Sequence, residues 1–276
     1  AVGTDSDPNL HIEGNTFSNI SGGWNGGYGI SINADNASAE IKRNRFSDIS
    51  KAAITLWWNP EQSWNYMQVN YNRFGGNVPT GVSNIMGEDL DATLNWWGNS
   101  DGPDGEGPGS GSDVTGDVIF SPWLGVDPDS DPDKRGVQLE GPMKFIVAEA
   151  GPAPGAGYLN TAIMASNDQD KFPDTDTVEV QEGSYGISTP ITDSVEILSE
   201  PGSATSTFLT GDVSIESSGV ILGQEGQGFT LDGDVTIGEE TDAGDENVQV
   251  NRNILLGTFT HNGTGVVDAL FNNWGA

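Results

Sequence analysis

One apolar residue, one asparagine and one phenylalanine return together at nearly constant spacing, and this return constrains the fold more than any other feature. Ile12-x-x-Asn15-x-Phe17-x-x-Ile20 recurs as Ile41-x-x-Asn44-x-Phe46-x-x-Ile49 and again as Val69-x-x-Asn72-x-Phe74, displaced by 29 and then 28 residues. Ala92-x-x-Asn95 is a degraded fourth copy. The copies also carry short alternating segments: Ile30-x-Ile32, Ile54-x-Leu56 and, more weakly, Val82-x-Asn84. Apolar residues at i and i+2 belong to a strand with one face inward, not to a helix. A unit of roughly 30 residues cannot close a core alone, so the copies must stack. Short parallel strands stacked in this way form a β-helix. Asn15, Asn44, Asn72 and Asn95 then meet at one bend. There asparagine tolerates a left-handed backbone, and its amide can bond to the amides above and below. Phe17, Phe46 and Phe74 are expected to stack inside.

A longer internal repeat divides the chain. Met67-Gln68-Val69-Asn70-Tyr71-Asn72-Arg73-Phe74-Gly75-Gly76 aligns with Val248-Gln249-Val250-Asn251-Arg252-Asn253-Ile254-Leu255-Leu256-Gly257. Asp91-Ala92-Thr93-Leu94-Asn95-Trp96-Trp97-Gly98 likewise aligns with Asp268-Ala269-Leu270-Phe271-Asn272-Asn273-Trp274-Gly275. The second module opens on a short helical stretch, Tyr158 to Ala165, followed by Asp176-Thr177-Val178-Glu179-Val180 and Glu182-Gly183-Ser184-Tyr185. Alternating pairs then run from Val195-x-Ile197 to Val248-x-Val250. The reading is all-β: a right-handed parallel β-helix (solenoid) in two tandem modules, with one short capping helix before the second to cover an open strand edge. Residues 1–126 hold the coils and ending of the first module. Residues 127–142 read as an acidic Gly/Pro linker, and residues 143–276 as the second module, truncated at its end.

The Asn-x-Phe coils resemble the right-handed parallel β-helix repeats of the pectate-lyase-like and copper-maturation periplasmic families. Asn95-Trp96-Trp97-Gly98, Gly102-Pro103 and Gly116-Asp117-Val118-Ile119-Phe120-Ser121-Pro122-Trp123-Leu124 together resemble the module ending of β-helical surface proteins from haloarchaea and from bacteria. The first module lacks the family's entry helix and the second lacks the Pro-Trp-Leu ending, as in a segment of a longer tandem protein. The resemblance implies an extracellular location, with polysaccharide binding or cleavage in some members. It does not imply one activity, because fold is not function.

Composition narrows the function classes. Asp and Glu total 41 against 10 Lys and Arg, a formal net charge of −31. Such a field repels a phosphate backbone, so nucleic acid is not an expected partner. Carboxylates spread along the chain with few cations suit concentrated salt, where charges are screened within about 3 Å at 1 M. There are no cysteines and only two histidines, His11 and His261, in different repeats. This removes thiol chemistry and argues against a histidine-rich metal site. No apolar run reaches the roughly 18 residues that would span a membrane.

Three constellations could carry chemistry. The aromatic loop Trp57-Trp58-Asn59-Pro60-Glu61-Gln62-Ser63-Trp64-Asn65-Tyr66, with Trp24 and Tyr28 in a second long turn, offers rings that stack on the apolar C–H faces of sugars. Lys42, Arg43, Arg45, Lys51 and Arg73, with Asp35, Glu40, Asp48 and Glu61, could form a lyase or epimerase site, which needs a base and an anion-stabilising cation. Asp127, Asp129, Asp131 and Asp133 alternate in a pattern that could wrap a hard cation such as calcium. Asn19, Asn36 and Asn262 begin glycosylation sequons. The expected function is that of an extracellular structural or adhesive surface protein of a salt-adapted organism, a rigid scaffold presenting aromatic turns to a glycan or partner. The alternatives are a polysaccharide lyase, epimerase or hydrolase, and a subunit of an extracellular filament or viral spike. Self-association through exposed coil ends is expected, since an uncovered first coil at Leu10 to Ile12 is a strand template.

Overall fold

Each of the first four turns has a bend at a residue held in a left-handed conformation, immediately before a ladder asparagine. A computed structural model describes the protein at residues 9–22, 26–33, 37–57, 64–85, 87–149, 158–168, 175–238, 247–263 and 265–274. The left-handed residues are Gly14, Arg43, Tyr71 and Leu94, with φ of 66°, 55°, 57° and 60°. The strained position is therefore not the asparagine itself. The reason is local. Asn15 Nδ2 donates to Glu13 O at 2.9 Å and Asn72 Nδ2 donates to Asn70 O at 3.1 Å, closing the turn around the residue between.

The amides then bond along the stack. Asn15 N donates to Asn44 Oδ1 (3.0 Å), Asn44 N to Asn72 Oδ1 (3.0 Å) and Asn72 N to Asn95 Oδ1 (2.8 Å). Asn44, Asn72 and Asn95 are fully buried. Buried polar groups at this density are tolerable only because each finds a partner in the next turn. The rings stack in the same order: Phe17 on Phe46 at 5.0 Å, Phe46 on Phe74 at 5.5 Å, and Phe74 on Trp97 at 4.9 Å. The aromatic column therefore extends one turn beyond the phenylalanines, into the tryptophan of the degraded copy.

The chain forms two compact units, residues 1–140 with 150–153 and residues 141–149 with 154–276. In the first unit three parallel ladders wrap one core. The first ladder runs Asn9–Glu13, Ala37–Lys42, Trp64–Asn70, Leu90–Asp91, Val118–Ile119. The second runs Thr16–Ile20, Arg45–Ile49, Arg73–Phe74. The third runs Tyr28–Ile32, Ala52–Leu56, Thr80–Asn84, Asp113–Thr115. Register matches the repeat: Ile12 faces Ile41, Ile41 faces Val69, and Phe17 faces Phe46. The fold is a parallel β-helix.

Of the segment 127–142, read from composition as linker, residues 127–140 lie on the first unit. Val137 N donates to Arg43 O at 2.8 Å and Gly136 N to Thr16 Oγ1 at 3.0 Å, while Asp129 and Leu139 form an antiparallel bridge. Val137 is buried. The segment is a strap across the outer side of the second ladder.

The second unit is built alike. Its longest ladder includes Lys144–Val147, Asp176–Val180, Val195–Ser199, Ile221–Leu222, Val248–Val250 and Val267–Asp268. The short helix, Tyr158–Ser166, buries Leu159, Ala162 and Ile163. A strand precedes it: Lys144–Val147 pairs in parallel with Asp176–Val180, Phe145 opposite Val178. The helix is thus the crossover that a parallel pair requires. Asn160 and Asn167, seven residues apart, pin it, accepting from the N–H groups of Ser188, Thr189 and Thr192.

Candidate functional site

The third ladder of the first unit presents its middle residues outward. Ser31, Thr55, Ser83 and Thr115 stand in register on four successive strands, one hydroxyl per turn. They occupy the position between the two inward residues of each alternating pair, which is why pattern reading passed over them. At strand spacing, about 4.8 Å separates one hydroxyl from the next.

An open groove of about 360 Å³ lies over this row. Thr55, Ser83 and Thr115 line it together with Tyr28, Lys51, Trp57 and Ile85. Thr55 is 1% exposed and lies beneath the groove, so Ser83 and Thr115 carry its reachable hydroxyls, while Ile85 is 48% exposed and stands as a rim. Trp57 is positioned by its turn. Its backbone N–H continues the ladder to Ile32 O at 3.0 Å, and its indole N–H donates to Ser31 Oγ at 2.7 Å. The Tyr28 and Trp57 rings meet edge to face, centroids 5.4 Å apart. Lys51 Nζ lies 5.0 Å from the centre of the Tyr28 ring, a cation–π distance. Apolar walls, a hydroxyl floor and one cation can hold a polar ligand that also has apolar faces.

Of the six aromatic residues named as candidates in two separate turns, Tyr28 and Trp57 line this groove. Tyr66 belongs to the first ladder, where burial, then Glu40 and Asp91, raise its hydroxyl pKa above the ordinary tyrosine value. Trp24 and Trp58, and the side chain of Trp64, lie outside the described residues. Lys51, Thr55, Ser83, Ile85 and Thr115 were not anticipated as lining.

The basic cluster is dispersed over three sides. Lys42 lies 3.6 Å from Glu40 and Arg43 lies 3.7 Å from Glu13. Arg45 and Arg73 hold the strap, and Lys51 faces the groove. These cations therefore do not converge as a lyase or epimerase site would require. Glu40 is held between His11 (3.2 Å) and Lys42. Asp91 accepts from Gln68, Asn70 and Thr93.

The alternating aspartates do not meet at a common point. Asp127 takes Arg73 at 2.6 Å, Asp129 takes Arg45 at 2.8 Å and Asp131 takes Lys134 at 3.3 Å. The hydrogen bond to Asp127 raises the Arg73 pKa further, and Lys134 holds the Asp131 carboxyl below its usual range. Among the described residues no three His, Asp or Glu side chains gather as metal ligands would. Asp127 and Asp129 reach Arg73 and Arg45 on adjacent strands of the second ladder, whereas Asp131 pairs within its own segment. Asn19 and Asn262 are exposed, and Asn36 lies outside the described residues. Among the described residues no helix is long and apolar enough to cross a membrane. No family model, curated protein or solved structure matches the chain.

Proposed function

We propose that the chain is an extracellular structural and adhesive β-helix of a salt-adapted organism, and that the groove over the third ladder binds a glycan. The observation that carries this reading is the pairing of Tyr28 and Trp57 above in-register hydroxyls. Sugar rings offer C–H faces to aromatic walls and hydroxyls to a hydroxyl floor. A ligand running across the turns meets a repeating surface, as a polysaccharide chain would require. The net charge of −31 supports the salt-adapted part of the reading. Adhesion accounts better than catalysis for a groove whose charged lining, among the described residues, is Lys51 alone.

The test is a glycan array in multimolar KCl, followed by titration of each hit against Trp57→Ala and Tyr28→Ala. Both variants should weaken binding at least tenfold, with thermal midpoints close to that of the parent. Absence of any glycan hit, or hits indifferent to both substitutions, overturns the reading. Loss of stability with binding retained would assign the two rings to packing.

A further inference from the structure

The last turn of the second unit repeats the last turn of the first until the point where the first is covered. Asn95 Nδ2 donates to Val69 O (2.5 Å) and Ala92 O (2.7 Å), and Asn272 Nδ2 donates to Val250 O (2.6 Å) and Ala269 O (3.0 Å). Thr93 N donates to Asp91 Oδ1, and Leu270 N to Asp268 Oδ1, both at 3.1 Å. Leu94 and Phe271 share a left-handed backbone, φ 60° and 61°.

Above this shared turn the units part. In the first, Val118–Ile119 pairs in parallel with Leu90–Asp91. Ala92 N donates to Ile119 O at 2.8 Å and Leu94 N to Pro122 O at 2.6 Å, and Leu124 N donates back to Asn95 O at 3.0 Å. There Leu94 is 7% exposed and Trp97 fully buried. In the second unit no described carbonyl accepts from Ala269 N or Phe271 N. Phe271 is 69% exposed and Trp274 53%, with Val266 and Leu270 exposed beside them. Phe271 is held outward, the Arg252 guanidinium 4.1 Å from its ring centre. Trp274 is braced edge-on by Phe259 at 5.8 Å. The backbone donors are therefore placed as they are under the cover of the first unit, with Trp274 in the register position of Trp97 and Phe271 in that of Leu94.

We propose that this end of the second unit is a docking surface for a peptide segment with the chemistry of residues 116–124, Gly-Asp-Val-Ile-Phe-Ser-Pro-Trp-Leu. The segment adds a parallel strand beside Val267–Asp268. Its Ile carbonyl accepts from Ala269 N, its Pro carbonyl accepts from Phe271 N, and its apolar side chains cover Phe271 and Trp274. Proline suits the second contact because it only has to accept. Strand addition supplies the hydrogen bonds, and the apolar side chains supply the selectivity.

The test places a second copy of residues 100–126 directly behind Ala276, since Gly275 aligns with Gly98. A control tail carries Val118→Ser, Ile119→Ser and Trp123→Ser. Hydrogen exchange at Ala269 and Phe271 is followed in multimolar KCl, with sedimentation of the untailed chain in parallel. The native tail should slow both amides at least tenfold and the control tail should not. Equal exchange with both tails, or none slowed, overturns the proposal. So does slow exchange in the untailed chain that becomes slower as its concentration rises, which would make a second copy the occupant.

Discussion

Asn44 shows how one side chain holds a turn. Its Oδ1 accepts from Asn15 N, while its Nδ2 donates to Ile12 O at 2.7 Å and to Asn72 Oδ1 at 3.1 Å. Asn44→Ala takes the partner from Asn15 N and from Ile12 O, while Asn72 Oδ1 still accepts from the backbone N–H of residue 44, so it should cost about 1–3 kcal/mol. Chemical denaturation measures this, and a cost under about 0.5 kcal/mol would place Asn44 outside the ladder. Asn44→Asp separates the two roles. The carboxylate can still accept from Asn15 but cannot donate to Ile12 O, so it too should destabilise. Glycine is demanded where the backbone comes closest. At Gly116, with φ 81°, a Cβ would overlap the carbonyl oxygen of Asn84. Gly116→Ala therefore forces neighbouring turns apart, and its thermal midpoint should fall well below that of the parent.

Among the elements, the strap of residues 127–140 makes its most buried charged contact with Arg45. The Arg45 side chain is 12% exposed and its partner Asp129 is 3% exposed. Arg45 also donates to Pro132 O (2.6 Å), Lys134 O (2.8 Å) and Gly136 O (2.9 Å). A guanidinium fork can serve a carboxylate and several carbonyls together; a lysine ammonium cannot match that geometry. Arg45→Lys should therefore release the strap nearly as fully as Arg45→Ala. Limited proteolysis should show cleavage within 127–140 in both variants and protection in the parent. Protection in Arg45→Ala would mean that Val137 and the Asp129–Leu139 bridge hold the segment unaided. Arg73→Ala should have less effect, because the Arg73–Asp127 pair is more exposed and such pairs contribute little.

For the molecule as a whole, stability should rise with salt. The net charge of −31 is self-repulsion that exposed carboxylates exert at distances beyond the roughly 3 Å screening length of 1 M salt. Contacts such as Arg45–Asp129 at 2.8 Å are buried and screened far less. Salt thus removes the unfavourable long-range term while leaving the favourable short-range one largely in place. The thermal midpoint should climb from about 0.05 M to about 2 M KCl. A flat or falling profile would show that the carboxylates already sit far enough apart to be neutral in effect.

Periodicity alone was enough for the parallel β-helix, the asparagine ladder and the aromatic column. Residues one turn apart in a stacked coil must lie on each other, so Asn15, Asn44 and Asn72 declare their own contacts. The same logic made the likeness of Asn95 and Asn272 readable in advance. It did not locate the left-handed residue, because the side chain that closes the turn and the backbone that is strained by it belong to neighbouring positions. Nor did it find the strand Lys144–Val147, whose partner Val178 lies beyond a helix and whose apolar run does not alternate. The groove and the strap were settled only in three dimensions. Tyr28, Lys51, Trp57, Ile85 and Thr115 come from four successive turns and share no motif. Asp127 and Asp129 look like free linker carboxylates until Arg73 and Arg45 are seen stacked one strand apart beneath them. Vertical neighbours follow from the repeat, but lateral ones depend on the width of each turn and on where a non-repeating segment comes to rest.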